Sequence, residues 1–304
     1  MSKKDEKPKL TYLSLLNHME SKGITFNKGS RINAEKFLEN KNYYFKVTSY
    51  RTNFSKINGK YVNLDFTYLQ DLAAIDANLR RFLTDITLAV EHGLKVKLLD
   101  LITKNKSEDG YSIVQEFRRS NPKSYSRTLS YLKNNRYASD LYKKHHAEPP
   151  VWVFLEVSTF GDLSQFIEFY NKKHPNKTLR KIVANLKFAK NIRNAAAHSN
   201  PIIVNLFSPN EFIPKPTQVI ISEAHLMKID NKLITDMKIH DLIALFYLNK
   251  LLNSAESRKH VYKKGINDVI NRFNKHADYY KTVPSIALFR DSLQKMIDFQ
   301  LENQ

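Results

Sequence analysis

The sequence predicts a mainly α protein, and three of its features carry that prediction. Glycine and proline are scarce, 7 and 10 residues in 304, too few for the tight turns of an all-β fold. From Thr67 to about Thr103 the apolar residues Leu69, Leu72, Ile75, Leu79, Phe82, Ile86, Val90, Leu94 and Leu98 recur every three or four positions, the period of one helix face. A second stripe of that period runs through Leu179, Ile182, Val183, Leu186, Ala189 and Ala196. With 42% hydrophobic and 26% charged residues the composition is globular, and the length suffices for one large or two ordinary domains with a sizeable core.

In chain order, residues 10 to 21 read as a first helix with Leu10, Leu13, Leu16 and Met19 on one side and Gly23 as its stop. A second short helix, Asn33 to Glu39, leads into Tyr43, Tyr44, Phe45, Tyr50 and Phe54. Aromatics this dense either stack on bases or, more often, pack into a core. Asn58-Gly59 between Ile57 and Tyr61 signals a hairpin, because both positions tolerate positive φ. The long helix from Thr67 spans roughly 50 Å at 1.5 Å per residue if unbroken. On it, Asp76 and Arg80, and Glu91 and Lys95, stand four apart and can pair on the surface, while Gly93 marks close packing against another helix.

Residues 116 to 146 carry eight Lys or Arg against two acids. Arg118, Arg119, Lys123, Arg127, Lys133, Arg136, Lys143 and Lys144, with Tyr125, Tyr131, Tyr137 and Tyr142 interleaved, form either a phosphate-tracking RNA-binding surface or a solvated face. Pro149-Pro150 breaks the chain, the Gly161 turn launches a helix from about Ser164 to Tyr170, and Pro175 separates it from the second stripe. Thr217 to Ile221 reads as a short strand, and three helices come after it, at 229–252, 256–276 and 285–302. The chain thus divides into an N-terminal portion with helices and hairpin (1–66), a helical core with a basic insertion at 104–148 (67–210), and a C-terminal helical region (211–304).

Against 30 Asp and Glu stand 49 Lys and Arg, a net charge of +19, which favours a polyanionic partner through counterion release. With no cysteine, disulfides and thiolate metal sites are excluded, as suits a reducing cytoplasm. Met1 to Lys9 lacks the apolar core of a signal peptide, and no stretch approaches about 18 uninterrupted apolar residues, so a soluble, cytoplasmic protein without membrane contact is expected. His145-His146 lacks partners at ligand spacing. No metal site and no cofactor are expected.

The second stripe ends in Lys190-Asn191-Ile192-Arg193-Asn194-Ala195-Ala196-Ala197-His198-Ser199-Asn200-Pro201. Arg193 falls on the apolar stripe, where a guanidinium must find a carboxylate, a phosphate or carbonyl oxygens. Its position admits two readings: a buried salt bridge, with Glu156 as a candidate partner, or a grip on phosphate. His198 lies about 140° further round the helix, beside Asn194. The three alanines keep this last turn slim, and Pro201 disfavours helical geometry at Asn200 and so stops the helix.

Arg193, Asn194 and His198 match the signature of the HEPN superfamily of ribonucleases: an Arg, commonly followed by Asn, His or Asp, then three residues and a His. The wider chain resembles the Abi-like (AbiD/AbiF) abortive-infection branch. The resemblance rests on Asn42-Tyr43-Tyr44 and Tyr50, Ile75-Asp76-Ala77-Asn78-Leu79-Arg80, Glu91, Pro149-Pro150-Val151-Trp152 and Thr159-Phe160-Gly161-Asp162-Leu163-Ser164. It implies a HEPN-type helical bundle, in which some of Asp76, Arg80, Glu91 and Lys95 hold the core together, and a homodimer whose two motif helices meet in a shared groove. It also implies metal-independent cleavage of RNA to a 2′,3′-cyclic phosphate, with His198 as general acid or base, Arg193 as phosphate clamp and Asn194 as orienting residue. A second reading from a different class keeps the fold without catalysis: a binder of structured noncoding RNA on the basic face, with Arg193 in a core ion pair.

Overall fold

The computed structural model describes residues 8–209 and 215–302, and these are mainly helical. The helices in chain order are α1 (Tyr12–Ser21), α2 (Arg31–Asn40), α3 (Tyr44–Ser49), α4 (Phe66–Lys104), α5 (Ser112–Ser120), α6 (Pro122–Asn134), α7 (Ser139–His145) and α8 (Val151–Glu156). They continue with α9 (Phe160–Lys173), α10 (Lys177–Ala197), α11 (Gln218–Leu226), α12 (Met237–Leu252), α13 (Ala255–Gly265), α14 (Asn271–Lys275) and α15 (Pro284–Glu302). Four two-residue strands lie near the start: β1 (Ile24–Thr25), β2 (Lys56–Ile57), β3 (Lys60–Tyr61) and β4 (Leu64–Asp65). Two compact units result. The first joins the chain up to Leu83 with Ala195–His240 and the segment from His260, and the second joins Thr84–Asn194 with Asp241–Lys259.

In the first unit, Thr11 caps α1 by accepting from the Ser14 amide at 3.2 Å. Leu16 and Met19 are buried, but Leu10 and Leu13 are exposed, so only half of the predicted apolar side of α1 faces inward. Gly23 turns the chain at φ +87, where a Cβ would meet the Tyr61 carbonyl oxygen at 2.5 Å. The expected hairpin forms: Ile57 pairs with Lys60 across Asn58 (φ 51) and Gly59 (φ 77). β1 and β4 pair in parallel and deliver Asp65 to the start of α4. Its carboxylate accepts from the Thr67 amide (3.0 Å), the Thr25 hydroxyl (2.8 Å) and the amides of Asn27 (2.8 Å) and Lys28 (3.3 Å). Burial pushes this carboxyl up, yet the bonds it accepts outweigh burial and hold it below its usual value.

Every apolar residue that set the period of α4 is buried, which confirms the longest element expected from the sequence. Within the first unit its Asp71 pairs with Arg272 and accepts from Tyr280 at 2.7 Å, fastening the C-terminal helices. Gly265, at the end of α13, lets the Phe82 ring approach, since an added Cβ would lie 2.6 Å from it. α13 then passes through a π-helical turn at Ile266–Ile270 into α14, where the sequence pattern indicates one unbroken helix. The strand expected at Thr217 to Ile221 is instead the start of α11: Thr217 accepts from the Ile220 amide at 3.4 Å and caps a helix. β-branched residues favour strands only where a sheet receives them, and here a capping threonine decides.

The second unit packs α5, α8 and α9 around Phe117, whose ring lies 5.7 Å from Phe154, 4.8 Å from Phe166 and 5.5 Å from Phe169. Gly93 permits the close approach that its sequence position announced, a Cβ there falling 2.9 Å from Leu252 Cβ. Glu91 and Lys95 do not pair on the surface. Lys95 donates to the Glu156 carbonyl at 3.0 Å, and one Glu91 carboxylate oxygen is buried without a hydrogen-bond partner. Among the described residues no helix is long and apolar enough to cross a membrane.

Asp162, in the first turn of α9, is fully buried. It pairs with Arg127 and accepts from Ser124 (2.6 Å) and Thr159 (2.7 Å). Burial raises its carboxyl, but these three donors outweigh it and hold the group below the usual carboxylate range. A depressed folded-state value contributes stability that is complete above the unfolded pKa of about 3.9 and is lost as pH falls through the folded value. Asp162→Ala is expected to cost about 2–4 kcal/mol at neutral pH, since it leaves two hydroxyls and a guanidinium without their acceptor. Urea titration at pH 7 and at pH 3 checks this: the gap between the two proteins narrows at the lower pH.

Candidate functional site

The motif residues occupy the C-terminal end of α10. Leu179, Ile182, Leu186, Ala189 and Ala196 are buried as the stripe required. Arg193 is only half-buried, and Asn194 and His198 are exposed. Arg193 forms no ion pair among the described residues, with Glu156 or any other acid, so the buried salt-bridge reading has no support in the structure. On the preceding turn Asn191 donates to Asp241 at 3.1 Å.

The end of α10 is a Schellman motif. The Asn200 amide reaches back to the Ala195 carbonyl at 2.9 Å and the Ser199 amide to Ala196 at 3.1 Å. Ser199 takes the left-handed conformation (φ 56), and His198 is the cap residue. The helix therefore stops by its own backbone geometry two residues before Pro201, to which the sequence pattern alone assigns the stop. His198 stands clear of the helix body at the point where the chain turns.

The segment leaving this turn is fixed from several sides. Asp76, with no exposed surface, accepts the Ile202 amide at 2.8 Å and the Ile203 amide at 2.9 Å through one oxygen. Its other oxygen accepts the Tyr50 hydroxyl at 2.9 Å and pairs with Arg80. Asn53 donates to the Ile203 carbonyl at 2.9 Å and accepts from the Leu206 amide at 3.1 Å, Thr52 accepts from Asn205 at 3.1 Å, and Asp236 accepts from Phe207 at 2.8 Å. Burial pushes the Tyr50 hydroxyl above its usual pKa, which keeps it a donor. Asp76 and Arg80 are thus the buried anchor of the segment after His198, the core-holding role that the family resemblance implied rather than the surface pair that four-residue spacing suggested. Of the aromatics before them, Tyr50 and Phe54 are core, Tyr44 is half-buried, and Tyr43 and Phe45 are exposed.

The basic residues of α5 to α7 are displayed in the second unit. Arg118, Arg119, Lys123, Lys133, Arg136, Lys143 and Lys144 are exposed. Arg118 lies over the Tyr125 ring at 5.3 Å, and Lys143 has only a loose contact with Asp140 at 3.9 Å. Arg127 is engaged by Asp162. Tyr125 is buried and stacked on Phe154 at 5.6 Å, and Tyr142 stacks on His146 at 4.9 Å. Tyr131 and Tyr137 are exposed.

Sequence reasoning did not single out Lys46, which the fold buries. A lone lysine between Phe45 and Val47 carries no periodic signal, and nothing in the sequence shows that it is buried.

No curated protein and no solved structure matches the chain. A family model described as Abi-like protein matches residues 36–204, more than half of the chain. That span begins in α2, contains Tyr50, Asp76, Arg80 and the basic helices, and ends just past His198, on the residues that Asp76 holds. The chain belongs to the Abi-like protein family.

Proposed function

We propose that this protein is a metal-independent endoribonuclease of HEPN type, acting in abortive infection as a homodimer in which two α10 ends meet. The observation that carries the reading is the state of the motif at the end of α10: an exposed His198 on the cap, an exposed Asn194 and an Arg193 without an acidic partner among the described residues. Histidine acts as acid or base near neutrality. Arginine stays charged and grips two phosphate oxygens at once. In the reaction one His198 takes the 2′-hydroxyl proton as that oxygen attacks phosphorus, and the 5′-oxygen departs with a proton from the other. Arg193 offsets the charge that gathers on the phosphorane. The products are a 2′,3′-cyclic phosphate and a 5′-hydroxyl. RNA is held on α5 to α7, where seven exposed cations and Tyr131 and Tyr137 supply charge and stacking.

The test is incubation of purified protein with labelled RNA in EDTA, beside a substrate with 2′-deoxyribose at the cut positions. Cleavage of the RNA alone, leaving cyclic phosphate ends, is expected, because the nucleophile is the 2′-hydroxyl. Equal cutting of both substrates rejects the mechanism. The second reading, a non-catalytic holder of structured RNA, is favoured by the breadth of the basic surface and is selected by tight RNA binding without cuts.

A further inference from the structure

α10 has a packing face and an outward face, and the two differ in charge. Leu179, Ile182, Leu186, Ala189 and Ile192 are buried. On the outer side Arg180, Ala184, Lys187, Asn191 and Asn194 follow one another at steps of four, three, four and three, which places them on one face, and all five are exposed. Asn191 donates to the buried Asp241 at 3.1 Å. Arg180 and Lys187 form no ion pair and no side-chain hydrogen bond among the described residues. Over its 21 residues the helix carries six Lys and Arg and no Asp or Glu, whereas α4 carries five of each sign.

That distribution works against the helix itself. Lys177 and Lys181 stand four apart, and Lys187, Lys190 and Arg193 stand three apart, so like charges are neighbours on its surface. Lys177, Arg180 and Lys181 also fall within the first five residues, at the end where the macrodipole is positive and favours acids. The amides of Thr178 and Leu179 already have the Asn176 carboxamide as acceptor, at 2.8 and 3.1 Å, so the side chains along the face, and not the helix end, are what an anion meets. Cations placed at a cost to their own helix, on the face it does not use for packing, fit a polyanion laid along it. We propose that Arg180 and Lys187 bind phosphates of a single-stranded RNA that runs along the outer face of α10 to Asn194. Seven residues, about 10.5 Å of rise, separate Arg180 from Lys187 and Lys187 from Asn194, so one strand following the face meets both cations before the motif. The strand is single, because the major groove of an RNA duplex is too deep and narrow to receive the helix. The position of the cut rests on the nuclease reading, but the binding of the strand does not.

The experiment uses the full chain in a His198→Ala background, with a fluorescein-labelled single-stranded RNA titrated by fluorescence polarisation at several salt concentrations. Arg180→Gln and Lys187→Gln each weaken binding about tenfold and lower the salt slope by about 0.7, the value for one phosphate contact on a single strand. Lys181→Gln, on the same helix but about 100° round from Arg180, leaves the slope as it was. The thermal midpoints of the three variants stay at or above that of the parent, because each removes one of several like charges. With no cysteine in the chain, Arg180→Cys and Lys187→Cys each supply one thiol for a photocrosslinker. On an RNA cut by the wild type at one position, the nucleotide reached from Lys187→Cys lies between the cut and the nucleotide reached from Arg180→Cys. Unchanged slopes in Arg180→Gln and Lys187→Gln, an equal loss in Lys181→Gln, or crosslinks in the reverse order overturn the guide. So does a wild type that binds a polyglutamate peptide and not RNA, which assigns the face to an acidic protein partner. Slope losses confined to Arg180 and Lys187, in a protein that cuts no RNA, uphold the guide and remove the nuclease.

Discussion

Asp76→Ala is expected to unfasten the chain after His198 and to lower stability by about 3–5 kcal/mol, the range for breaking a buried ion pair from one side. The magnitude reflects the number of groups that lose an acceptor together. Tyr50, Arg80 and the amides of Ile202 and Ile203 all point at one carboxylate with no exposed surface, and water does not replace it without opening the core. Asp76→Asn is the milder change: its carbonyl oxygen keeps the two amides, while the ion pair with Arg80 is lost. Urea midpoints for both variants, with hydrogen exchange at Ile202 and Ile203, check the ranking. An alanine variant with wild-type midpoint and undiminished protection at both amides removes Asp76 as the anchor. Loss of RNA cleavage in Asp76→Ala, although the residue does not touch substrate, is the functional counterpart.

How far the sequence disclosed this arrangement depends on the range of the interactions. α4 was legible along its length, since nine apolar residues at helical spacing all went to the core. The hairpin at Asn58-Gly59 was legible because positive φ is a property of the two residues themselves. The role of Asp76 was not, because four-residue spacing to Arg80 is equally satisfied by a surface pair and by a buried one. What buries it is Tyr50, 26 residues before, and Ile202, 126 residues after. Thr217 failed for a related reason: a β-branched run reads as strand until its first residue is seen to cap a helix. At the candidate site, the exposure of His198 and Asn194 stems from their place on the helix end. The half-exposed Arg193 departed from its stripe, because a long side chain near a helix terminus reaches past the core edge. The basic helices were legible as a charge excess but not in their division of labour. Arg127 serves Asp162, and Tyr125 serves the core, while their neighbours face outward.

His198→Ala carries the second large expectation: a fall of about 10²–10⁴ in the rate of metal-free RNA cleavage, with the thermal midpoint unchanged. The two halves of that statement have separate grounds. An exposed cap residue with no hydrogen-bond partner among the described residues contributes little to the fold, whereas a proton-transferring group contributes to the transition state alone and its loss appears in turnover and not in RNA affinity. Arg193→Ala differs in kind, because a phosphate clamp acts on both substrate and transition state, so affinity and rate fall together. Arg193→Lys keeps the charge but loses the two-pronged grip and is expected to lie between. If two motifs share one groove in which one histidine is the base and the other the acid, a heterodimer of wild-type and His198→Ala protomers cleaves far below half the wild-type rate, since only one of the two proton-transferring groups remains. Single-turnover kinetics and RNA binding on each variant and on the heterodimer make the comparison. Cleavage by His198→Ala at the wild-type rate places the chemistry elsewhere. A heterodimer that cleaves at half the wild-type rate means that each motif works alone and that the two motif helices do not share a groove.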